Sequence, residues 1–92
     1  MLRITVNHSQ GFTRFGVEGS LTEPSAEELK KCWLDVCALG VHPKCLLVDL
    51  TDITNIDYVG KHILLDMYQS GVELVGSGVM TRAIIDEITH SE

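Results

Sequence analysis

A short and almost continuously apolar run, Cys45–Leu50, is the feature that most constrains how this chain can fold. Asp49 is the one charged residue in the run, and helical patterns flank it at Ser25–Leu39 and after Asp57. A buried strand between two helices is typical of α/β domains with parallel strands, joined by right-handed crossovers. Cys45–Leu50 is therefore predicted to be a central strand that is covered on both faces.

The segments on either side of this unit predict the rest of the fold. Residues 2–6 alternate apolar and polar side chains, and Phe12–Glu18 repeats the alternation after a polar turn, which predicts an antiparallel hairpin. Val72–Val75 predicts another strand, and a last helix follows with five apolar positions, Met80, Ala83, Ile84, Ile85 and Ile88. We expect one α/β domain over residues 1–92, with the order β-β-α-β-α-β-α, a mixed four-stranded sheet and helices packed on it. Residues 89–92 are predicted to be a loose tail.

The composition of the chain makes several classes of partner and binding site unfavourable. The 92 residues carry a net charge of −6 and contain no basic run, so nucleic acid is an unfavourable partner. There is no apolar run of about 18 residues and no secretory leader, so we expect a cytoplasmic protein without membrane insertion. The three cysteines form no C-x-x-C pair and are expected to be reduced and buried. The four histidines are far apart in the sequence, so the cysteines and histidines together predict no metal site. No cofactor is expected either.

Three loops are predicted to meet at the carboxyl ends of the parallel strands, where sites form in such sheets. They are Gly19–Glu23, Thr51–Asp57 and Gly76–Gly78. The second loop and the strand before it carry Asp49, Asp52 and Asp57, which could hold a divalent ion. In the structural interpretation, Asp57 caps the next helix and Asp52 is solvated. The third loop is only a weak phosphate motif, because Thr81 replaces the last glycine of G-x-G-x-x-G.

Leu47–Gly60 resembles the signature of STAS domains, the family of the anti-sigma factor antagonists. That signature has an apolar pair, Asp-Leu, a short loop, an apolar-Asp pair, two residues that are usually Ser or Thr, and then Gly and a helix. Val17–Thr22 resembles the family's Gly-x-Leu segment, and Gly71–Val75 resembles the strand after its second helix. The likeness extends from Ile4 to about Ile88. Many members add a final strand and helix, so a minimal or trimmed member is expected.

The resemblance implies a bacterial, non-enzymatic regulator of transcription that works in signal transduction by binding another protein. In such antagonists a Ser or Thr after the Asp is phosphorylated by an anti-sigma factor with a histidine-kinase-type ATPase domain. Here Tyr58 and Val59 occupy those positions, so the usual switch is expected to be absent, with Thr54 as a secondary candidate. The implied partner-binding residues are Ser20, Thr22, Glu23, Asp52, Thr54, Asn55, Asp57, Tyr58, Val59 and Lys61.

Two alternatives remain open at this stage. Some STAS-like domains are accessory subunits of membrane transporters, so a subunit of an ABC-type transporter is the second interpretation. A metal-dependent enzyme that uses the three aspartates is the third.

Overall fold

The computed structural model describes residues 2–90 and contains four strands and three α-helices in the predicted order. The elements in chain order are β1 (Leu2–Ser9), β2 (Phe12–Leu21), α1 (Ala26–Ala38), a 3₁₀ turn (Pro43–Cys45), β3 (Leu46–Ile56), α2 (Tyr58–Gln69), β4 (Glu73–Val75) and α3 (Val79–Thr89). Thr89 therefore belongs to a helix and not to a tail, His90 caps that helix, and residues 91–92 lie outside the described part. Within residues 2–90, no helix is both long and apolar enough to cross a membrane.

The sheet has the order β1-β2-β3-β4. β1 runs antiparallel to β2, which confirms the hairpin, whereas β2, β3 and β4 are parallel. The prediction that Leu46–Val48 lie in an inner strand is confirmed. Cys45 itself belongs to the 3₁₀ turn before β3.

The prediction that β3 is covered on both faces is wrong. Its buried residues Leu46, Val48 and Leu50 alternate with the half-buried Leu47 and Asp49. Each parallel strand is added on the same side of the one before it, so right-handed crossovers place the helices on one face of the sheet. Leu47 and Asp49 lie on the other face, which we call the open face.

Two strands are longer than their patterns predicted. β2 continues to Leu21, and Thr51–Ile56, predicted to be a loop, is the second half of β3. Glu18–Leu21 and Asp52–Ile56 pair across the two strands with irregular register. Polar side chains in this half of β3 face solvent, while the buried Ile53 faces the helices. The sequence of the segment therefore resembles a polar loop, although its backbone pairs with β2 as a strand.

One hydrophobic core lies between the sheet and the helices. α1 contributes Leu29, Trp33 and Val36, as predicted, and α2 contributes Leu64 and Met67. Two of the five predicted apolar positions of α3, Met80 and Ala83, are exposed, and Thr81 is buried instead. The expectation of buried cysteines is also wrong: all three are free, but Cys32 and Cys37 are half-buried and Cys45 is exposed.

Candidate functional site

Asp57 links the start of α2 to the end of β2. Its carboxylate accepts a hydrogen bond from the amide of Gly60 at 2.9 Å, the N-cap bond that the sequence predicts. The second carboxylate oxygen accepts from the amide of Glu23, also at 2.9 Å. The amide of Asp57 donates to the carbonyl of Leu21 at 3.3 Å. One side chain thus orients both chain segments at this end of the sheet, and we call residues 20–23 and 52–61 the tip surface.

Gly60 allows α2 to begin close to β2. A Cβ atom at this position would collide with the carbonyl oxygen of Leu21 and would lie 3.0 Å from side-chain carbons of Leu21 and Ile56. The glycine in the signature therefore has a steric cause, which is the close approach of a helix to the end of a strand.

Backbone hydrogen bonds favour the ionised form of the Asp57 carboxyl group. The amide of Glu23, followed by that of Gly60, lowers the pKa of Asp57 below its ordinary value of 3.8. The carboxylate has both oxygens occupied by amide donors, so its role in this structure is to hold the tip surface together.

The three aspartates do not form a cluster. Asp49 lies on the open face, where it pairs with Arg14 and accepts from the amide of Thr51 at 2.9 Å. Burial opposes its ionisation, but the hydrogen bonds from Thr51 and Arg14 outweigh that effect and lower its pKa. Extended backbone at about 3.3 Å per residue separates Asp49 from Asp57 by roughly 25 Å. Among residues 2–90 no three His, Cys, Asp or Glu side chains are grouped to hold a metal ion.

The Gly76–Gly78 loop meets the Thr51–Asp57 segment only at its first residue, Thr51. Gly76 lies against the backbone of Leu50 and Thr51, halfway along β3, and the buried hydroxyl of Thr81 donates to the carbonyl of Leu50 at 3.3 Å. β3 extends beyond the short β4 by several residues, so this loop ends well before the tip surface. Thr81, which replaces the last glycine of the phosphate motif, thus connects α3 to β3 through this hydrogen bond.

All ten predicted partner-binding residues fall within the two segments of the tip surface. Ser20 is the register partner of Asn55, and the exposed Thr54 has no partner on β2 because the register shifts there. Asp52 is also exposed, opposite Glu18. Thr22, Asp57 and Val59 are half-buried, whereas Glu23 and Tyr58 are exposed.

Tyr58 is a largely exposed aromatic residue on the tip surface. It is 79 % exposed, directly after the half-buried Ile56 and Asp57 at the end of β3. Its ring lies 6.2 Å from the ring of His62 at a tilt of 32°, one helical turn further along α2. A large aromatic group held open to solvent at the start of a helix is well suited to contact another protein.

A groove beside Tyr58 was not predicted from the sequence. Its volume is about 280 Å³, and it lies between the start of α2 and the end of α3. Its residues are Ile56, Asp57, Tyr58, Lys61, His62, Leu65, Glu87 and Ile88. Lys61 and Glu87 bridge the groove with an ion pair at 3.2 Å. The helical spacing of Tyr58, His62 and Leu65 could have indicated its α2 side, but no local signal connects Lys61 to Glu87.

Comparison with known families agrees with this geometry. The family model of the STAS domain matches residues 3–82. The chain belongs to the STAS domain family. The resemblance seen in the sequence is thereby confirmed, together with the fold.

Solved structures place this STAS domain among the anti-sigma factor antagonists in fold. An anti-sigma factor antagonist from Mycobacterium paratuberculosis superposes with a TM-score of 0.79 at 25% identity, covering 94% of this chain and 76% of that one. The antagonist SpoIIAA in its unphosphorylated form has a TM-score of 0.70 at 9% identity, with 92% and 83% covered. An uncharacterized Shewanella loihica protein with a SpoIIAA-like fold has a TM-score of 0.60 at 16% identity, with 94% and 77% covered. Curated protein sequences provide no match.

Proposed function

We propose that this STAS domain is a non-enzymatic regulator of the anti-sigma factor antagonist type, which binds a protein partner through its tip surface. The observation that carries the proposal is the arrangement of Asp57, Gly60 and Tyr58. Two amides fix the carboxylate, the glycine seats the helix against β2, and the aromatic ring projects into solvent. The antagonist from Mycobacterium paratuberculosis supports the same function by its similarity in sequence and structure.

The partner that fits this proposal is an anti-sigma factor with a histidine-kinase-type ATPase domain, in the bacterial cytoplasm. The proposed contact residues belong to the tip surface and are Ser20, Thr22, Glu23, Asp52, Thr54, Asn55, Asp57, Tyr58, Val59 and Lys61. When this domain binds the anti-sigma factor, the anti-sigma factor can no longer bind its sigma factor. The domain thus acts as an antagonist of the anti-sigma factor.

The usual phosphorylation switch is absent in this proposal. The two residues after Asp57 are Tyr58, a phenol that extends into solvent, and Val59, which has no hydroxyl. A kinase active site shaped for a short Ser or Thr side chain would not reach the phenol oxygen in the same position. Thr54 is the nearest exposed aliphatic hydroxyl along the chain, and its unpaired position in the register makes it the secondary site to examine.

The experiment is a binding titration with a purified anti-sigma factor whose gene neighbours the gene of this domain, with and without ATP. We expect binding in both conditions and no phosphate on the domain by mass spectrometry. Loss of binding after ATP treatment, with phosphate on Tyr58, would contradict the absence of a switch. Phosphate on Thr54 would move the switch along β3 and leave the partner surface in place. No binding to the anti-sigma factor, with binding to a transporter subunit, would favour the accessory-subunit function.

A further inference from the structure

β1 forms an edge of the sheet that has few of the features that prevent another strand from pairing with it. It is eight residues long, and within residues 2–90 its ladder partner is β2. The β1–β2 register runs from Leu2–Gly19 to Ser9–Phe12 without a shift, so no bulge twists the edge away. β1 contains no proline, and Arg3 is its single Lys, Arg, Asp or Glu residue. Protected edge strands are usually short, bulged, charged or interrupted by proline.

The two faces of β1 differ in polarity. Leu2 and Ile4 lie on the helix-covered face and pack against the core while half-exposed, and Val6 on the same face is 39 % exposed. The open face of β1 carries Arg3, Thr5 and Asn7. A strand that extends the sheet here must therefore place apolar side chains on the helix-covered face and polar ones on the open face.

Charge favours this edge for contact between two copies. The chain has thirteen Asp and Glu residues and a net charge of −6, so copies repel each other over most of the surface. Leu2–Ser9 contains none of these carboxylates. The opposite edge strand, β4, has only three residues and includes Glu73. β1 is thus the longer edge and the one where repulsion is smallest.

We propose that two copies of this domain pair through β1, antiparallel about a two-fold axis at Thr5, to form a continuous eight-stranded sheet. In this register Ile4 lies opposite Val6 of the second copy, twice by symmetry, and Arg3 lies opposite Asn7. A register centred on Val6 would form one apolar pair instead of two. A register centred on Ile4 would form three, but it would pair only the five residues 2–6, whereas the register centred on Thr5 pairs the seven residues 2–8. An antiparallel two-fold contact keeps the helix layers of both copies on the same side. The proposal is independent of the function of the tip surface, which lies at the ends of β2 and β3.

Sedimentation velocity over a range of protein concentrations tests the contact. We expect a monomer–dimer equilibrium, and Val6→Lys should raise the dissociation constant at least tenfold, because it places an ammonium group opposite Ile4. Val79→Lys is the matched control, since Val79 is 90 % exposed at the start of α3, and it should leave the equilibrium unchanged. Circular dichroism and the fluorescence of Trp33, the single tryptophan, establish that each variant is folded.

Disulfide cross-linking locates the contact. With Cys32, Cys37 and Cys45 replaced by Ser, Thr5→Cys should form a covalent dimer under mild oxidation, because its thiol would lie beside that of the second copy. Glu73→Cys in the same background should form no covalent dimer, because Glu73 lies on β4 at the opposite edge of the sheet. A monomer at all concentrations, or a dimer that cross-links through Glu73→Cys and not through Thr5→Cys, would overturn the proposal.

Discussion

The carboxylate of Asp57 and the backbone amide of Glu23 are joined by a 2.9 Å hydrogen bond between the first turn of α2 and the segment after β2. Thirty-four positions separate the two residues in the chain. Through this bond Asp57, the N-cap of α2, also holds the segment that leads from β2 into α1. Changes at Asp57 should therefore affect stability, pH dependence and the shape of the tip surface together.

Replacement of Asp57 separates its capping role from its charge. Asp57→Ala removes both accepting oxygens, so we expect thermal unfolding several degrees below that of the native chain. Asp57→Asn keeps one accepting oxygen for Gly60 and should unfold between the two. Equal unfolding temperatures for Asp57→Ala and the native chain, measured by circular dichroism, would show that the cap does not contribute.

The pH dependence of stability follows from the lowered pKa of Asp57. A carboxyl group with a lower pKa in the folded state stabilises the fold fully above its unfolded pKa, near 3.8. This contribution is lost as pH falls through the folded pKa. Chemical denaturation should show the native chain's advantage over Asp57→Asn staying constant above about pH 5 and shrinking as the pH falls through and below 3.8. Asp49 titrates in both proteins, so its effect cancels; a constant difference would contradict the assignment.

Gly60→Ala tests the close approach of α2 to β2. Alanine favours helices, so a substitution at an open helical site would stabilise the protein slightly. Here the added methyl group collides with the carbonyl of Leu21, and we expect a loss of about 1–3 kcal/mol in the free energy of unfolding. Gly40→Ala is a poor control because φ is +100° there. Gln69→Ala, exposed at the end of α2, should change stability by less than about 0.5 kcal/mol.

Core substitutions measure how much the helix layer contributes. Leu29 and Leu64 are fully buried, so Leu29→Ala or Leu64→Ala should cost about 2–4 kcal/mol through lost burial and a residual cavity. Leu34→Ala, at a site on α1 that is 52 % exposed, is the matched control and should cost under about 1 kcal/mol. A loss below that value at both buried sites would contradict the packing described for the core.

Replacement of Tyr58, at the start of α2, tests the partner surface. Tyr58→Ala should change the free energy of unfolding by less than about 0.5 kcal/mol, because the ring is largely exposed. It should weaken binding to the anti-sigma factor about tenfold or more, as removal of a central aromatic contact does. Val79→Ala, exposed at the start of α3, should leave binding unchanged. Equal affinities for Tyr58→Ala and the native chain would remove Tyr58 from the interface.

Val59→Ser places a hydroxyl at a position where the proposed function expects an antagonist with the usual switch to carry a phosphorylated Ser or Thr. Backbone amides at the start of α2 favour a phosphate at this position. With the cognate kinase and ATP, we expect mass spectrometry to find phosphate on this variant and none on the native chain. The added charge of about −1.5 to −2 should then reduce partner binding. An unmodified variant that still binds would show that the kinase does not reach this residue.

Much of the fold was predicted from local patterns, because those patterns reflect which side of each element is buried. The spacing of Leu29, Trp33 and Val36 identified α1, and alternation identified β1 and most of β2. The position of Asp57 before a helical pattern, with Gly60 three residues later, predicted the N-cap bond. These features depend on residues within one or two turns of each other, so the sequence alone determined them.

Tertiary structure decided what depends on distant partners. Thr51–Ile56 is a strand because β2 supplies its hydrogen bonds, although its polar side chains resemble a loop. Asp49 lies apart from Asp57 because that strand is extended, and Arg14 reaches it from the neighbouring strand. Lys61 meets Glu87 only because α3 packs beside α2. Pairing, strand length and helix packing are set by contacts across the whole chain, and the groove and the one-sided sheet follow from them.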